Sequence, residues 1–195
     1  MLLPEIIDTF NGLLQEARDS GDREPTAMTL ATADGNGRVS ARVVLLKGVD
    51  ERGLRFFTNY ESAKGAQLAA HSQVALCFHW KHVRDQVQVR VEGRSEHLSA
   101  AESDAYFATR PRMSQIGAWA SEQSQTLPDR ATFDARVERY EAEFEGRDVP
   151  RPPHWGGALV VPDKVEFWYG ARYRLHERVC WERVDGVWRS RLLYP

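Results

Sequence analysis

The chain has 195 residues, 42 % of them hydrophobic and 28 % charged, and its 26 Lys and Arg against 28 Asp and Glu leave a formal net charge of −2. That balance is globular rather than disordered, and the length suffices for one substantial core. It also lacks the basic excess of a general nucleic-acid binder. No apolar run approaches the roughly 20 residues of a membrane span. Met1-Leu2-Leu3-Pro4-Glu5-Ile6 has neither the basic start nor the small-residue cleavage site of a signal peptide. Two cysteines, Cys77 and Cys180, exclude a disulfide framework or a zinc ribbon and point to a reducing cytoplasm. Six Trp raise the question of a planar ligand, beside the commoner explanation of core packing.

Leu2, Leu3, Ile6, Ile7, Phe10, Leu13, Leu14 and Ala17 recur at helical spacing, and Gly21 follows as a stop, so residues 1–20 open with an amphipathic helix. Ala27–Ala33, the turn cluster Asp34-Gly35-Asn36-Gly37 and the alternation Val39, Ala41, Val43, Leu45 predict a hairpin. A strand at Leu54–Thr58 follows, then a short helix over Ser62–His71 begun by a Ser cap. Val74–Trp80 and Gln86–Glu92 are further strands. Ser99 and Glu102 have capping-box spacing for a helix that ends before Arg110-Pro111. Phe133, Val137, Tyr140 and Phe144 mark another helix, with Asp134, Glu138, Glu141 and Glu145 on its exposed face. Beyond the Pro150, Pro152, Pro153 connector, residues 150–195 are again β: Leu159–Val161, Val165–Tyr169, and Val179–Val184 turning through Asp185-Gly186 into Val187–Leu193. Antiparallel strands with interspersed helices predict a mainly β, α+β fold, a β-barrel core in a single domain over 1–195.

Several chemistries are excluded. Asp34-Gly35-Asn36-Gly37 fits neither a P-loop nor a dinucleotide fingerprint, and no H-E-x-x-H or G-x-S-x-G occurs. His79 and His82 lack partners at metal-ligand spacing, so no metal is expected. Cys77, within Val74-Ala75-Leu76-Cys77-Phe78, reads as a buried inert thiol. What remains are cations and hydroxyls grouped at loop-like positions. Arg42 and Lys47 flank an apolar strand, and Thr58-Asn59 with Ser62-Ala63-Lys64 could converge on a phosphate. Tyr106, Arg110 and Ser114 form a second group. Arg174, His176 and Arg178 alternate along an extended segment close behind Trp168. Singly, each of these is more often a solvated charge than a ligand contact. Jointly they suggest two phosphorylated planar ligands.

At these same residues the sequence resembles the pyridoxamine 5′-phosphate oxidase family. The strings that carry the resemblance begin with Arg42-Val43-Val44-Leu45-Leu46-Lys47 and Phe57-Thr58-Asn59. The longest runs from Tyr106-Phe107 through Arg110-Pro111 and Ser114-Gln115-Ile116-Gly117-Ala118-Trp119, followed by Gln123-Ser124. Trp155-Gly156-Gly157, Glu166-Phe167-Trp168-Tyr169-Gly170 and Arg174-Leu175-His176-Glu177-Arg178 complete the set. The resemblance implies an FMN-binding split β-barrel and a homodimer with FMN between the subunits. It implies FMN contacts at Arg42, Val43, Val44, Leu45, Leu46, Lys47, Phe57, Thr58, Lys64, Gln86, Gln123, Ser124, Trp168 and Arg178.

It further implies a substrate site at Lys47, Tyr106, Arg110, Ser114, Arg174, Leu175 and His176, with Arg174 and His176 at the reacting carbon. The implied reaction oxidises pyridoxine 5′-phosphate or pyridoxamine 5′-phosphate to pyridoxal 5′-phosphate, with O₂ as acceptor. Two departures stand out: Ala63 replaces an Arg common in the family, and the longer basic leader of many members is expected to be missing or reduced. A rival class is a split-barrel flavin- or haem-binding module without this activity. The set Tyr106, Arg110, Ser114, Arg174 and His176 favours the oxidase.

Overall fold

Helix α1 (Pro4–Asp19) starts with Pro4 in its first turn, where a missing N–H goes unnoticed, and the chain leaves it through Gly21 at φ +78°. Its apolar stripe of Ile6, Phe10, Leu13, Leu14 and Ala17 is buried. Each large member contributes roughly 1.5–3 kcal/mol of burial. Phe10 meets the ring of Phe78 edge-on, with centroids 5.1 Å apart. The helix therefore plugs one face of the sheet and contributes no side chain to the functional cleft.

The computed structural model describes residues 1–195 throughout. The strands are β1 (Ala27–Ala33), β2 (Val39–Leu45), β3 (Gly48–Asp50), β4 (Gly53–Asn59), β5 (Gln73–Trp80), β6 (Val87–His97), β7 (Trp155–Tyr169), β8 (Glu177–Val184) and β9 (Val187–Leu192). They form one antiparallel sheet in the order β2-β1-β5-β6-β7-β4-β3, with β8 also on β7 and β9 beyond it. The same edge of β7 thus carries two partners. Its first half pairs with β4, from Leu54↔Val160 to Asn59↔Trp155, and its second half pairs with β8, from Lys164↔Glu182 to Tyr169↔Glu177. The curled sheet parts between them, as a split barrel must.

Helices α2 (Ala63–Ala70), α3 (Ala100–Ala108), α4 (Arg112–Ala120) and α5 (Arg130–Glu143) fill the connections. The α3 capping box forms as expected, with Ser99 Oγ accepting from Glu102 N–H and the Glu102 carboxylate accepting from Ser99 N–H. The main core joins α1 to the inward residues Leu76, Phe78, Val87, Val89, Val91, Val165 and Phe167. A smaller cluster of Phe107, Ile116, Phe144, Val149 and Trp155 ties α3 and α4 to the start of β7.

Three local expectations change. Leu159–Val161 and Val165–Tyr169 are one strand, β7, whose pairing with β6 slips between Glu92 and Gly93. At that bulge a Cβ on Gly93 would lie 2.2 Å from Val161 O, so only glycine lets the strands close. Strand β3 and helix α4 form where no element was expected. The segment carrying Arg174 and His176 is not extended: Arg172–Arg174 is a 3₁₀ turn with Tyr173 at φ 58° and Arg174 at φ 63°.

Candidate active site

Strands β2 and β4 and helices α2, α3 and α4 converge on a cleft of about 530 Å³. Three cations line it, Lys47, Lys64 and Arg110, and no carboxylate does. Hydroxyls come from Thr58, Tyr106, Ser114 and Ser121, and amides from Asn59 and Gln123. None of the three cations makes a salt bridge, although twelve are formed elsewhere in the chain. The two hydroxyl–cation clusters expected from sequence, Thr58-Asn59 with Lys64 and Tyr106 with Arg110 and Ser114, therefore share one cavity.

Arg110 and Lys64 are held by aromatic rings and neutral polar groups. The guanidinium of Arg110 lies over the Trp155 ring at 4.6 Å and near Phe107 at 5.5 Å. Its Nη1 is buried with no hydrogen-bond partner. Burial lowers the Arg110 pKa, and an orphaned buried N–H of this kind costs about 1–3 kcal/mol until an acceptor reaches it. Lys64 donates from Nζ to Gln123 Oε1 (2.5 Å) and Ser62 Oγ (3.2 Å). Burial, reinforced by the nearby Arg42, pushes Lys64 down to about 8. Arg42 itself sits just outside the cleft and donates to Thr32 Oγ1 (2.6 Å), Leu30 O (3.1 Å) and Gln67 Oε1 (2.9 Å). An unpaired buried donor and two mutually repelling cations are chemistry that an anion would satisfy.

The apolar wall has its own order. Phe57 stacks on Tyr106 with centroids 3.8 Å apart and on Trp155 at 5.3 Å, all three rings nearly parallel. Val43, Val44 and Leu45 line the cleft from β2, whereas the Leu46 side chain turns into the main core. Ser124 lies one residue past Gln123, in a left-handed conformation at φ 74°.

The other expected residues gather elsewhere. Gln86, Trp168, Arg174, Leu175, His176 and Arg178 do not line this cleft. Trp168 pairs with Arg178 across β7 and β8, and its ring is 4.5 Å from that of His176. His176 Nδ1 accepts the Ala171 N–H at 3.1 Å. Gln86 O accepts the Gly170 N–H at 2.9 Å, which fixes where the loop leaves β7. Arg178 Nε donates to Glu166 Oε1 at 2.8 Å, and Glu166 is buried with Arg90 Nη1 at 3.5 Å on its other oxygen. Arg174 and Leu175 stand exposed. Two adjacent non-glycine residues with positive φ are uncommon and mark a loop shaped for something other than local stability.

The two groups occupy opposite ends of β7. Trp155 lines the cleft and Trp168 belongs to the second group, so at about 3.3 Å per residue roughly 40 Å of strand contour separates them. Sequence reasoning did not single out Trp155, Gly117, Ala118, Ser121 or Glu166. All but Ser121 lie inside the strings quoted above, where packing is the default role for such residues. Cys77, expected to be buried, is half-buried and faces Arg90 across β5 and β6; burial raises its thiol pKa.

Residues 14–144 match the family described as pyridoxamine 5′-phosphate oxidase, and residues 155–195 match the pyridoxine 5′-phosphate oxidase C-terminal dimerisation region. A pyridoxine/pyridoxamine 5′-phosphate oxidase from Xanthomonas oryzae is 56 % identical over 100 % of this chain and 98 % of its own. The chain belongs to the pyridoxine/pyridoxamine 5′-phosphate oxidase family. Among solved structures of similar fold, PhzG from Burkholderia lata, in complex with tetrahydrophenazine-1-carboxylic acid, has a TM-score of 0.91 at 31 % identity, covering 100 % of this chain and 98 % of that one. A pyridoxamine 5′-phosphate oxidase-related, FMN-binding protein from Nostoc punctiforme has a TM-score of 0.79 at 20 % identity with 100 % of both chains covered, a likeness of fold. Family membership and split-barrel fold agree with the resemblance noted in the sequence. No helix is long and apolar enough to cross a membrane.

Proposed function

We propose that this protein is a homodimeric, FMN-dependent oxidase of vitamin B6 phosphates. It converts pyridoxine 5′-phosphate or pyridoxamine 5′-phosphate to pyridoxal 5′-phosphate in a reducing cytoplasm, where Cys77 and Cys180 stay free thiols. One observation carries the reading: a cleft with three unpaired cations, no carboxylate and an orphaned Arg110 Nη1, which fits phosphorylated ligands. The separation of the two residue groups along β7 supports a site completed by a second copy. The second copy's Trp168–Arg178 end would close over the first copy's cleft, in keeping with the dimerisation region matched at 155–195.

Within that site Arg42, Lys64, Thr58 and Gln123 hold the FMN phosphate, with Val43, Val44, Leu45, Phe57 and the Leu46 backbone along the cofactor. Lys47, Tyr106, Arg110 and Ser114 hold the substrate phosphate, a remote non-reacting group whose binding fixes the position of the reacting carbon. Gln86, Ser124, Trp168 and Arg178 complete the cofactor's surroundings. When bound, FMN supplies the hydride acceptor for the substrate's 4′ carbon and hands the electrons to O₂, giving H₂O₂. Arg174 and Leu175 lie over the substrate ring, the guanidinium directing its oxygen or nitrogen by hydrogen bonds. With Nδ1 accepting the Ala171 N–H, His176 presents Nε2–H as the donor left to hydrogen-bond the substrate's oxygen or nitrogen.

The test is direct. Pyridoxine 5′-phosphate should bleach the bound flavin anaerobically and give H₂O₂ in air, whereas NADH should do neither. Bleaching by NADH alone would favour a flavin reductase. Tetrahydrophenazine-1-carboxylic acid, the ligand seen in PhzG, serves as comparator because its carboxylate could engage the same cations. Arg110→Ala should raise KM for phosphorylated substrates while flavin content holds. Arg174→Ala should lower kcat with FMN retained; unchanged kcat would remove Arg174 from the reaction.

A further inference from the structure

Gly117 sits inside α4, where glycine is the poorest helix former short of proline. Two structural reasons could keep it there, and neither applies. Its backbone is helical, and a Cβ built on it meets no atom within 4 Å. Gly65 in α2 shows the contrast, because its Cβ would lie 2.0 Å from Tyr60 O, so packing alone demands glycine there. The open space beside Gly117 is the cleft, which it lines together with Ser114, Ala118 and Ser121 from the same helix. Ser114 is one turn earlier on that face, about 4.5 Å along the axis. A phosphate held between Ser114 and the buried Arg110 Nη1 would sit about one helical turn from Gly117, within reach of the group it is esterified to.

We propose that Gly117 is a specificity-determining position whose missing side chain gives a flat, aromatic phosphate ester room to lie against α4. The inference rests on the reading of the cleft as a B6-phosphate site and adds to it the residue that sets the cleft's width. On this account helix stability has been given up for clearance. Filling the space should strengthen the helix and exclude the ligand. A residue kept for packing would behave in the opposite way on the first count.

The experiment uses FMN-loaded Gly117→Ala and Gly117→Leu, both good helix formers. It measures Tm, flavin content, sedimentation, and calorimetric Kd for pyridoxal 5′-phosphate and for inorganic phosphate. The expected Gly117→Ala protein is dimeric, retains flavin and melts about 2–4 °C higher. In Gly117→Leu the Kd for pyridoxal 5′-phosphate rises roughly tenfold or more, while that for inorganic phosphate, which does not reach Gly117, stays within about twofold. A lower Tm or loss of the dimer in the Ala protein would overturn the inference, as would an unchanged pyridoxal 5′-phosphate Kd in the Leu protein. Equal weakening of inorganic phosphate, or flavin loss in place of weakened substrate binding, would also overturn it. If the wild-type protein binds no pyridoxal 5′-phosphate, the functional reading fails first and takes this inference with it. Wild-type binding with indifferent variants fails the inference alone.

Discussion

Lys64 lies within reach of the positive charge of Arg42, and its only polar partners are the neutral Ser62 and Gln123. With its pKa at about 8 against an ordinary 10.5, the folded apoprotein holds fewer protons than the unfolded chain between those values. Its stability should therefore rise with pH across that window, since the charged form is what folding disfavours. In the proposed site an anionic ligand reverses the preference, because a phosphate beside Lys64 favours the ammonium form. FMN affinity of the apoprotein should weaken above pH 8, approaching tenfold per pH unit, and Lys64→Arg should straighten the profile. A flat wild-type titration from pH 7 to 9.5 would place Lys64 outside the phosphate site. Glu166 presents the complementary case. It is buried, and its closest contact is Arg178, whose pKa it raises through their hydrogen bond. Glu166→Gln should cost about 1–3 kcal/mol in urea unfolding and weaken FMN binding by loosening Arg178, which then keeps its hydrogen bond to Tyr194 O but not its charged partner. In an Arg178→Met background the effect on FMN should vanish. Independent, multiplying effects would show that Glu166 acts on something else.

The cleft is hung on local devices at the ends of helices. Ser62 Oγ caps α2 by accepting from Gly65 N–H, donates to Asn59 O at 2.7 Å, and accepts from Lys64 Nζ. Ser62→Ala should lower stability by about 1 kcal/mol in thermal unfolding and shift the Lys64 profile with it. A shift in Tm without a change in the pH profile would separate the cap from the cation. That cap, the α3 capping box, the α1 stripe and the two hairpins were all legible in the sequence, because each is fixed by residues a few positions apart. The Asp185-Gly186 turn forms with both φ values positive, as a two-residue hairpin requires. Helix α4 was not legible. It is nine residues long, follows a proline and contains a glycine, so its periodicity is weak. The full length of β7 was hidden by Pro162, which looks like a strand breaker and sits at the bulge. The left-handed pair Tyr173 and Arg174 leaves no trace in composition, since neither residue favours positive φ. The sequence named Lys47, Thr58, Lys64, Tyr106, Arg110, Ser114 and Gln123, which the fold brings to one cleft, whereas the gathering of Trp168, Arg174, His176 and Arg178 at the other end of β7 is a matter of tertiary topology.

At the scale of the molecule, a net charge of −2 conceals a cleft with three cations and no carboxylate. Acidic residues collect in a separate hollow at the end of α5, where Glu138, Glu141, Glu145 and Asp148 stand beside Arg112 and Arg147. Anionic ligands are thereby favoured at the one of these two openings that has cations and no carboxylate. Raising ionic strength should slow FMN association more than dissociation, which stopped-flow fluorescence would resolve. The division of the site residues along β7 has a genetic consequence. If every working site takes its cleft from one chain and its Arg174 loop from another, a chain damaged in the cleft and a chain damaged in the loop are not equivalent losses. At substrate concentrations too low for either variant alone to turn over measurably, Arg110→Ala and Arg174→Ala should regain activity when unfolded together and refolded as mixed dimers, each with one site doubly broken and one whole. Random pairing at equal amounts predicts about a quarter of wild-type activity. Two alleles of such a gene, each null alone, would complement one another.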